Sequence, residues 1–303
     1  MFDPASSEIK LPTLTALRSP MSNITTSFTL VEPHENNSPA SPQSYGKSNR
    51  RPRTHTLTMP DLATLGPVIL AYLRPFPGHR DDVKREFKAL AESVWKNEDK
   101  TRCYYWLYPE DKPDEMRVIE IYNGPEGMEI HATGDLTFDT FERSYQYGIR
   151  VDMEGLRRRK KGLPAIPPQP DVELRGLDID YLQPVSSVPS FLGPAGLDKD
   201  QVVVISTITA KPGKRREVAA LLAKLAAHAK EAGAQTFWVN ENPEGGDKIW
   251  SIMRFADAHA EEAFAKDTSV AQAQAELSGL TDKVESERCH WAEQGFFQKL
   301  YQD

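Results

Sequence analysis

The sequence predicts an α+β protein: two tandem ferredoxin-like β-α-β-β-α-β units whose sheets face each other within one chain, preceded by a disordered N-terminal tail. Three observations predict it. A long-period internal repeat sets the two units, strands that are apolar on both faces call for a cover, and the first residues are Ser/Thr/Pro-rich without hydrophobic period. The division that follows is a tail over 1–63, a first unit with its linker over 64–190, and a second unit over 191–303.

The tail comes first. Residues 1–60 hold 9 Ser, 8 Thr and 8 Pro with few aromatics. Such a stretch buries too little apolar surface to offset the entropy of ordering it, and it lowers the mean hydropathy of the chain to −0.54. Ser-Pro steps at Ser19, Ser38 and Ser41, and the basic run Arg50-Arg51-Pro52-Arg53, read as a solvated tail or as modification and docking sites.

The first unit opens with a β-rich run, Val68 to Leu73, stopped by Phe76-Pro77-Gly78-His79-Arg80. The second opens with Val202 to Ile208, stopped by Lys211-Pro212-Gly213-Lys214-Arg215. An amphipathic helix follows each Pro-Gly. Val83, Phe87, Leu90, Ala91 and Val94 take core spacing in the first, and a shift of 135 positions gives Val218, Leu222, Leu225, Ala226 and Ala229. Cys103 to Leu107 and Met116 to Tyr122 then read as a hairpin, matched at a shift of 133 by Thr236 to Val239 and Ile249 to Phe255. A second helix is expected around 127–147 and 258–279, and a fourth strand within 172–182 and 284–298. The connection around Arg157-Arg158-Arg159-Lys160-Lys161 and Pro164-x-x-Pro167-Pro168 reads as stiff, polar linker. Strands one and two of each unit are apolar on both faces, whereas a lone sheet with helices on one side alternates. The missing cover is most simply the other unit.

Composition excludes several classes. The net charge is −7, and six basic against four acidic residues in the tail leave about −9 on the remainder, which disfavours nucleic acid or an anionic membrane as partner. No run approaches the ~18 apolar residues of a membrane span, and no charged-then-apolar leader opens the chain, so a cytoplasmic protein is expected. Two cysteines, Cys103 and Cys289, make neither a disulfide framework nor a zinc site. No dinucleotide glycine motif, P-loop or nucleophile elbow is present.

The order of elements resembles the antibiotic biosynthesis monooxygenase (ABM) domain, a family of dimeric α/β barrels. The resemblance rests on the Pro-Gly-basic turn before the first helix, the aromatic strand Tyr104-Tyr105-Trp106 (Phe237-Trp238 in the second copy), the strand end Glu120-Ile121-Tyr122, and the helix start Glu126 to His131. It spans about two-thirds of the chain. The family's helix-start His falls at His131 in copy one but at Phe264 in copy two, and the aromatic ending strand three is Tyr122 and Phe255. Copy one keeps only the His of the Asn, Trp and His that the haem-degrading branch uses, which points away from haem degradation. The resemblance implies a barrel formed internally, hence a monomer. It also implies a cofactor-independent monooxygenase, with neither metal nor flavin, acting with dioxygen on an aromatic polyketide, anthrone or quinol. A non-catalytic binding or scaffold protein of the same fold, or a barrel isomerase, cyclase or decarboxylase, are the alternatives.

Such chemistry needs an aromatic cavity, a base and donors for an oxyanion. His34 and His55 lie in the tail, His79 in a turn, His228 and His259 on helices and His290 in the last strand, which leaves His131 as the proton acceptor. Tyr72, Tyr104, Trp106 and Tyr122 are the candidate substrate-binding residues. Tyr104 and Trp106 share a strand face and Tyr105 takes the other. The competing reading is a helix-start His satisfied locally and aromatics that pack the core. In copy two, Trp238, Asn240, Trp250 and Arg254 form a second candidate pocket, or ordinary packing with an ion pair.

Overall fold

In the computed structural model of the protein, residues 65–164, 174–193 and 199–297 are described. All of them belong to the unit Leu62–Asp303. The expected tail, with its Ser-Pro steps and basic run, lies outside the described residues.

Copy one contributes β1 (Val68–Leu73), α1 (Arg80–Asn97), β2 (Thr101–Pro109), β3 (Met116–Tyr122), α2 (Pro125–Ala132), α3 (Asp135–Ser144), α4 (Met153–Lys160) and β4 (Leu177–Pro184). A two-residue strand β5 (Phe191–Leu192) leads into copy two. There follow β6 (Val202–Ala210), α5 (Arg215–Glu231), β7 (Thr236–Glu241), β8 (Lys248–Phe255), α6 (Ala258–Ala265), α7 (Thr268–Leu280) and β9 (Thr281–Phe296). The two Pro-Gly turns end β1 and β6 because Gly78 and Gly213 adopt φ values of 82° and 77°, which L side chains rarely take. The repeated stripes on α1 and α5 are buried as their spacing requires.

Every strand pair is antiparallel, in the order β4-β1-β3-β2-β9-β6-β8-β7, and the pairing of β4 with β7 closes the ring as an eight-stranded barrel. Each copy's fourth strand joins its own first strand to the other copy. β4 pairs with β1 and β7, and β9 pairs with β6 and β2. This closure is the cover that the two-faced apolar strands called for. One face of each strand packs under helices in one of two cores, and the cores interlock: Ala292 and Phe296 of β9 enter the core of copy one, and Val185, just after β4, enters that of copy two. The other face points to the lumen. Tyr104, Trp106 and Tyr108 enter the helix-side core of copy one, and Tyr105, of opposite parity, turns into the lumen and donates to Gln201 Oε1 at 2.9 Å.

Two expectations are corrected. The second helix of each copy is two helices: Gly134 separates α2 from α3, and the Asp267 side chain caps α7 by accepting from Ser269 and Val270 N–H groups. Apolar periodicity runs across both breaks, so the pattern hides them. The basic run is also no linker. It forms α4, capped by Asp152, and its cations meet acids of the neighbouring helices: Arg157 with Glu142, Arg159 with Glu129, and Lys160 with Asp135. Among the described residues no helix is long and apolar enough to cross a membrane.

Candidate active site

The helix face of copy one carries a transverse row of side chains set by register. Tyr181 on β4 pairs with Ile69 on β1, Ile69 with Glu120 on β3, Glu120 with Tyr104 on β2, and Tyr104 with Phe296 on β9. A carboxylate therefore sits at the centre of an otherwise apolar and aromatic surface. Tyr122, two residues beyond Glu120 on the same face, donates to Glu120 Oε2 at 2.5 Å.

Helix α2 lays His131 over this row. Gly127 allows the approach: a Cβ there would stand 2.8 Å from Lys100 Cβ. The Thr137 hydroxyl ties down the end of α2 by donating to the His131 carbonyl at 2.7 Å. The imidazole lies 5.1 Å from the Tyr104 ring and 5.9 Å from the Tyr122 ring, centroid to centroid. Its Nδ1 is 3.1 Å from both oxygens of Glu98, the residue that ends α1. Glu98 also accepts from the Thr101 hydroxyl at 2.7 Å. An anion at a helix C-terminus opposes the helix dipole, so Glu98 is held there by His131 and Thr101 and not by the helix. Trp106 borders the site against Phe87 and Tyr104, and its indole N–H is buried without a hydrogen-bonded acceptor.

The electrostatics follow from burial and these pairs. Burial alone would lower the His131 pKa, but the bond to Glu98 and the charges of Glu120 and Glu98 outweigh it, and the pKa is raised. Burial pushes Glu120 up, with His131 and the Tyr122 hydroxyl pulling against it. Tyr122 and Tyr104 are held well above the ordinary phenol range by burial and then by the Glu120 charge. With Nδ1–H directed at Glu98, the other ring nitrogen is left to take or give a proton, and the carboxylate stabilises the imidazolium so formed.

Of the sequence-derived candidates, Tyr104, Trp106, Tyr122 and His131 come together here. Tyr72 does not. It points into the lumen, donates to Asp180 Oδ2 at 2.8 Å, and has the Arg117 guanidinium 4.9 Å from its ring centroid. Glu98 and Glu120 complete the cluster and were missed. Glu120 had a visible signal, as the one charged residue at an alternate position of a strand otherwise apolar on that face. Glu98 had only a weak one, an acid where a helix end prefers a base.

Copy two lacks this chemistry at matching positions. Phe237 pairs with Met253 as Tyr104 pairs with Glu120, and Phe255 packs on Phe264 at 5.4 Å where Tyr122 meets His131. Among the described residues no group of three or more His, Cys, Asp or Glu side chains is placed to hold a metal ion.

Both halves match the model of the antibiotic biosynthesis monooxygenase family, over residues 68–136 and 201–276. No curated protein matches the chain. Among solved structures, a putative monooxygenase from Fusobacterium nucleatum superimposes with a TM-score of 0.61 at 10% identity, covering 77% of this chain and 94% of its own. A putative monooxygenase from Lactobacillus acidophilus gives 0.56 at 12% identity, covering 78% of this chain and 99% of its own. These likenesses are to the fold. The duplicated family match, laid on the closed barrel, identifies two tandem antibiotic biosynthesis monooxygenase domains in this chain.

Proposed function

We propose that the chain is a monooxygenase that oxidises a flat phenolic substrate of the anthrone, naphthol or quinol class with dioxygen, using neither metal nor flavin, and that the chemistry belongs to copy one. The observation that carries this reading is the Glu98–His131 pair set among Tyr104, Tyr122 and Glu120, where copy two has Phe or Met in place of His131, Tyr104, Tyr122 and Glu120 and Ala232 at the helix cap. The free ring nitrogen of His131 takes the substrate's proton, and Glu98 stabilises the resulting imidazolium. The Trp106 N–H, lacking a hydrogen-bonded partner, is a donor for the oxyanion that deprotonation creates. The electron-rich carbanion then reacts with dioxygen. For an anthrone the ring methylene becomes a carbonyl, and for a naphthol a ring C–H and the phenol O–H become the two carbonyls of a quinone. In each case one oxygen atom enters the substrate and the other leaves as water with the two hydrogens removed. Access lies between α2 and β4, where Met128 and Tyr181 are only partly buried. We further propose that the protein works as a cytoplasmic monomer.

Oxygen uptake by the purified chain with anthrones, naphthols and quinols, without added metal, flavin or nicotinamide, tests the reading. Uptake that His131→Ala abolishes supports it; unchanged turnover in that variant removes His131 from catalysis. A binding protein of the same fold is the second reading, favoured by the depth of His131, which is 7% exposed. Tight substrate binding without any uptake would select it.

A further inference from the structure

We propose that the barrel lumen on the copy-two side is a second small-molecule site, one that takes a neutral planar heterocycle bearing a lactam edge, an N–H beside a C=O. The proposal is independent of the His131 cluster, which lies on the opposite face of the sheet. Trp238 and Asn240 on β7 share the lumen-facing parity, and Asn240 stands directly opposite Trp250 on β8. All three are buried, at 0%, 0% and 3% exposure. Yet Trp238 Nε1 and both Asn240 side-chain atoms, Nδ2 and Oδ1, have no hydrogen-bond partner, and Trp250 Nε1 lies by the Tyr72 hydroxyl without making a well-formed hydrogen bond. Buried polar groups in folded proteins are almost always paired, so three unpaired atoms and a fourth poorly paired one on adjacent lumen side chains point to a ligand.

The corresponding positions of copy one show the difference. Tyr105 stands for Trp238 and donates to Gln201. Leu107 stands for Asn240 and has nothing to satisfy. Arg117 stands for Trp250 and is bonded to Glu287, Glu115 and the Met116 carbonyl. That half of the lumen has already paired its polar groups internally.

The unpaired set defines the ligand's chemistry. A primary amide with both atoms available matches an edge that offers one acceptor and one donor side by side. Two indole N–H groups add donors for a further lone pair on the same carbonyl, and the indole rings favour a flat partner. None of the three side chains carries charge, and Arg117 and Glu287 neutralise each other. The buried Arg254, four positions beyond Trp250 on the same strand face, is turned to Thr236 and the Phe297 ring, so the edge that Asn240 presents suits a neutral molecule. The weakest seam of the barrel passes beside the site. β4 and β7 share two residue pairs, Gln183 with Glu241 and Pro184 with Asn240, and Pro184 has no N–H to give.

The test is a calorimetric titration of the full chain with 2-pyridone, together with its 1-methyl derivative, which lacks the N–H. Saturable binding of 2-pyridone is expected, weakened at least tenfold by Asn240→Leu, several-fold by Trp250→Phe and at least tenfold by N-methylation, but unchanged in His131→Ala. The Asn240→Leu side chain is the one copy one carries at this position, and Trp250→Phe keeps the ring if that variant misfolds. A crystal of the full chain soaked in 2-pyridone is expected to show the ring against Asn240. No saturable binding to the native chain, equal affinity in Asn240→Leu, or only water on these four atoms in the soaked crystal would overturn the proposal. Loss of oxygen uptake in His131→Ala with 2-pyridone binding intact would separate this site's fate from that of the oxygenase reading.

Discussion

On the helix face of copy one stand Tyr104, Tyr122, His131 and Glu120; the matching residues of copy two are Phe237, Phe255, Phe264 and Met253. The backbones are paired alike and both faces are buried, so the fold does not demand the polar set. Copy two shows what this face holds when packing alone is at stake. Burying two carboxylates and an imidazole costs desolvation that their mutual attraction only partly returns, whereas a Phe cluster pays nothing comparable. The lumen reverses the assignment: copy one's polar groups are paired there, while Trp238 and Asn240 of copy two are not. The two copies thus carry their distinctive polar groups on opposite faces of one sheet.

The sharpest way to break this comparison is to give copy one the residue of copy two. His131→Phe is expected to lower oxygen-consuming turnover by about 10²–10⁴-fold, the usual worth of a positioned acid-base group, with thermal stability unchanged or higher. A variant that unfolds instead would make the cluster structural and the comparison false. Next in size are matched core truncations, Leu90→Ala on α1 and Leu225→Ala on α5, which occupy equivalent places in the two stripes. Each is expected to cost about 2–5 kcal/mol in urea unfolding. Because the strands interlock across copies, both are expected to lower one shared transition. Two separated transitions would mean that the copies fold independently.

Glu98→Gln sharpens the comparison by pH. The carboxylate helps to raise the His131 pKa above its ordinary value, so the base form, and with it kcat/KM, is expected to rise with pH on the alkaline side of about 6.5. Removing Glu98 moves that limb to lower pH. The stability linkage has the opposite sense: a raised histidine pKa stabilises the fold below the unfolded value, and the gain is lost as pH rises through the folded one. Unfolding free energies of the native chain and Glu98→Gln are therefore expected to differ most at acidic pH and to converge at alkaline pH. A pH profile that does not move in Glu98→Gln would show that His131 is not the titrating base.

What was legible in the sequence was whatever repeats or alternates locally. The two stripes on α1 and α5, the Pro-Gly stops and the shared face of Tyr104 and Trp106 all follow from spacing within one element. Tyr72 was assigned to the same pocket because it too is an aromatic in a strand, but parity relates residues only within a strand. Which face of β1 matches which face of β2 depends on cross-strand register, and that register turns Tyr72 toward the lumen and Asp180. Glu98 was invisible for a similar reason. Its role comes from the approach of α2 to the end of α1, 33 positions apart in the chain, and no periodicity reports it. Arg157 to Lys161 looked like linker because a run of cations has no apolar stripe, while the acids that pair with it lie on other helices.

Those pairs supply the smallest effect. Arg159 donates from Nε to Glu129 on α2 at 2.6 Å, and its charge also acts on Tyr181, so α4 stands at the rim between α2 and β4. Exposed ion pairs contribute about 0–1 kcal/mol, and Arg159→Ala is accordingly expected to leave unfolding nearly unchanged. Its effect is expected in KM if the proposed substrate entrance to Glu120 and His131 runs past this rim. Added salt weakens such a pair, so KM of the native chain should move with ionic strength toward that of Arg159→Ala, whose own KM stays flat. Among the described residues, the acids that pair with this run, Glu142, Glu129 and Asp135, all lie on α2 and α3 of copy one. A rim fastened over the copy with the His131 cluster is what a substrate entrance there requires, and a KM indifferent to both salt and Arg159 would place the entrance elsewhere.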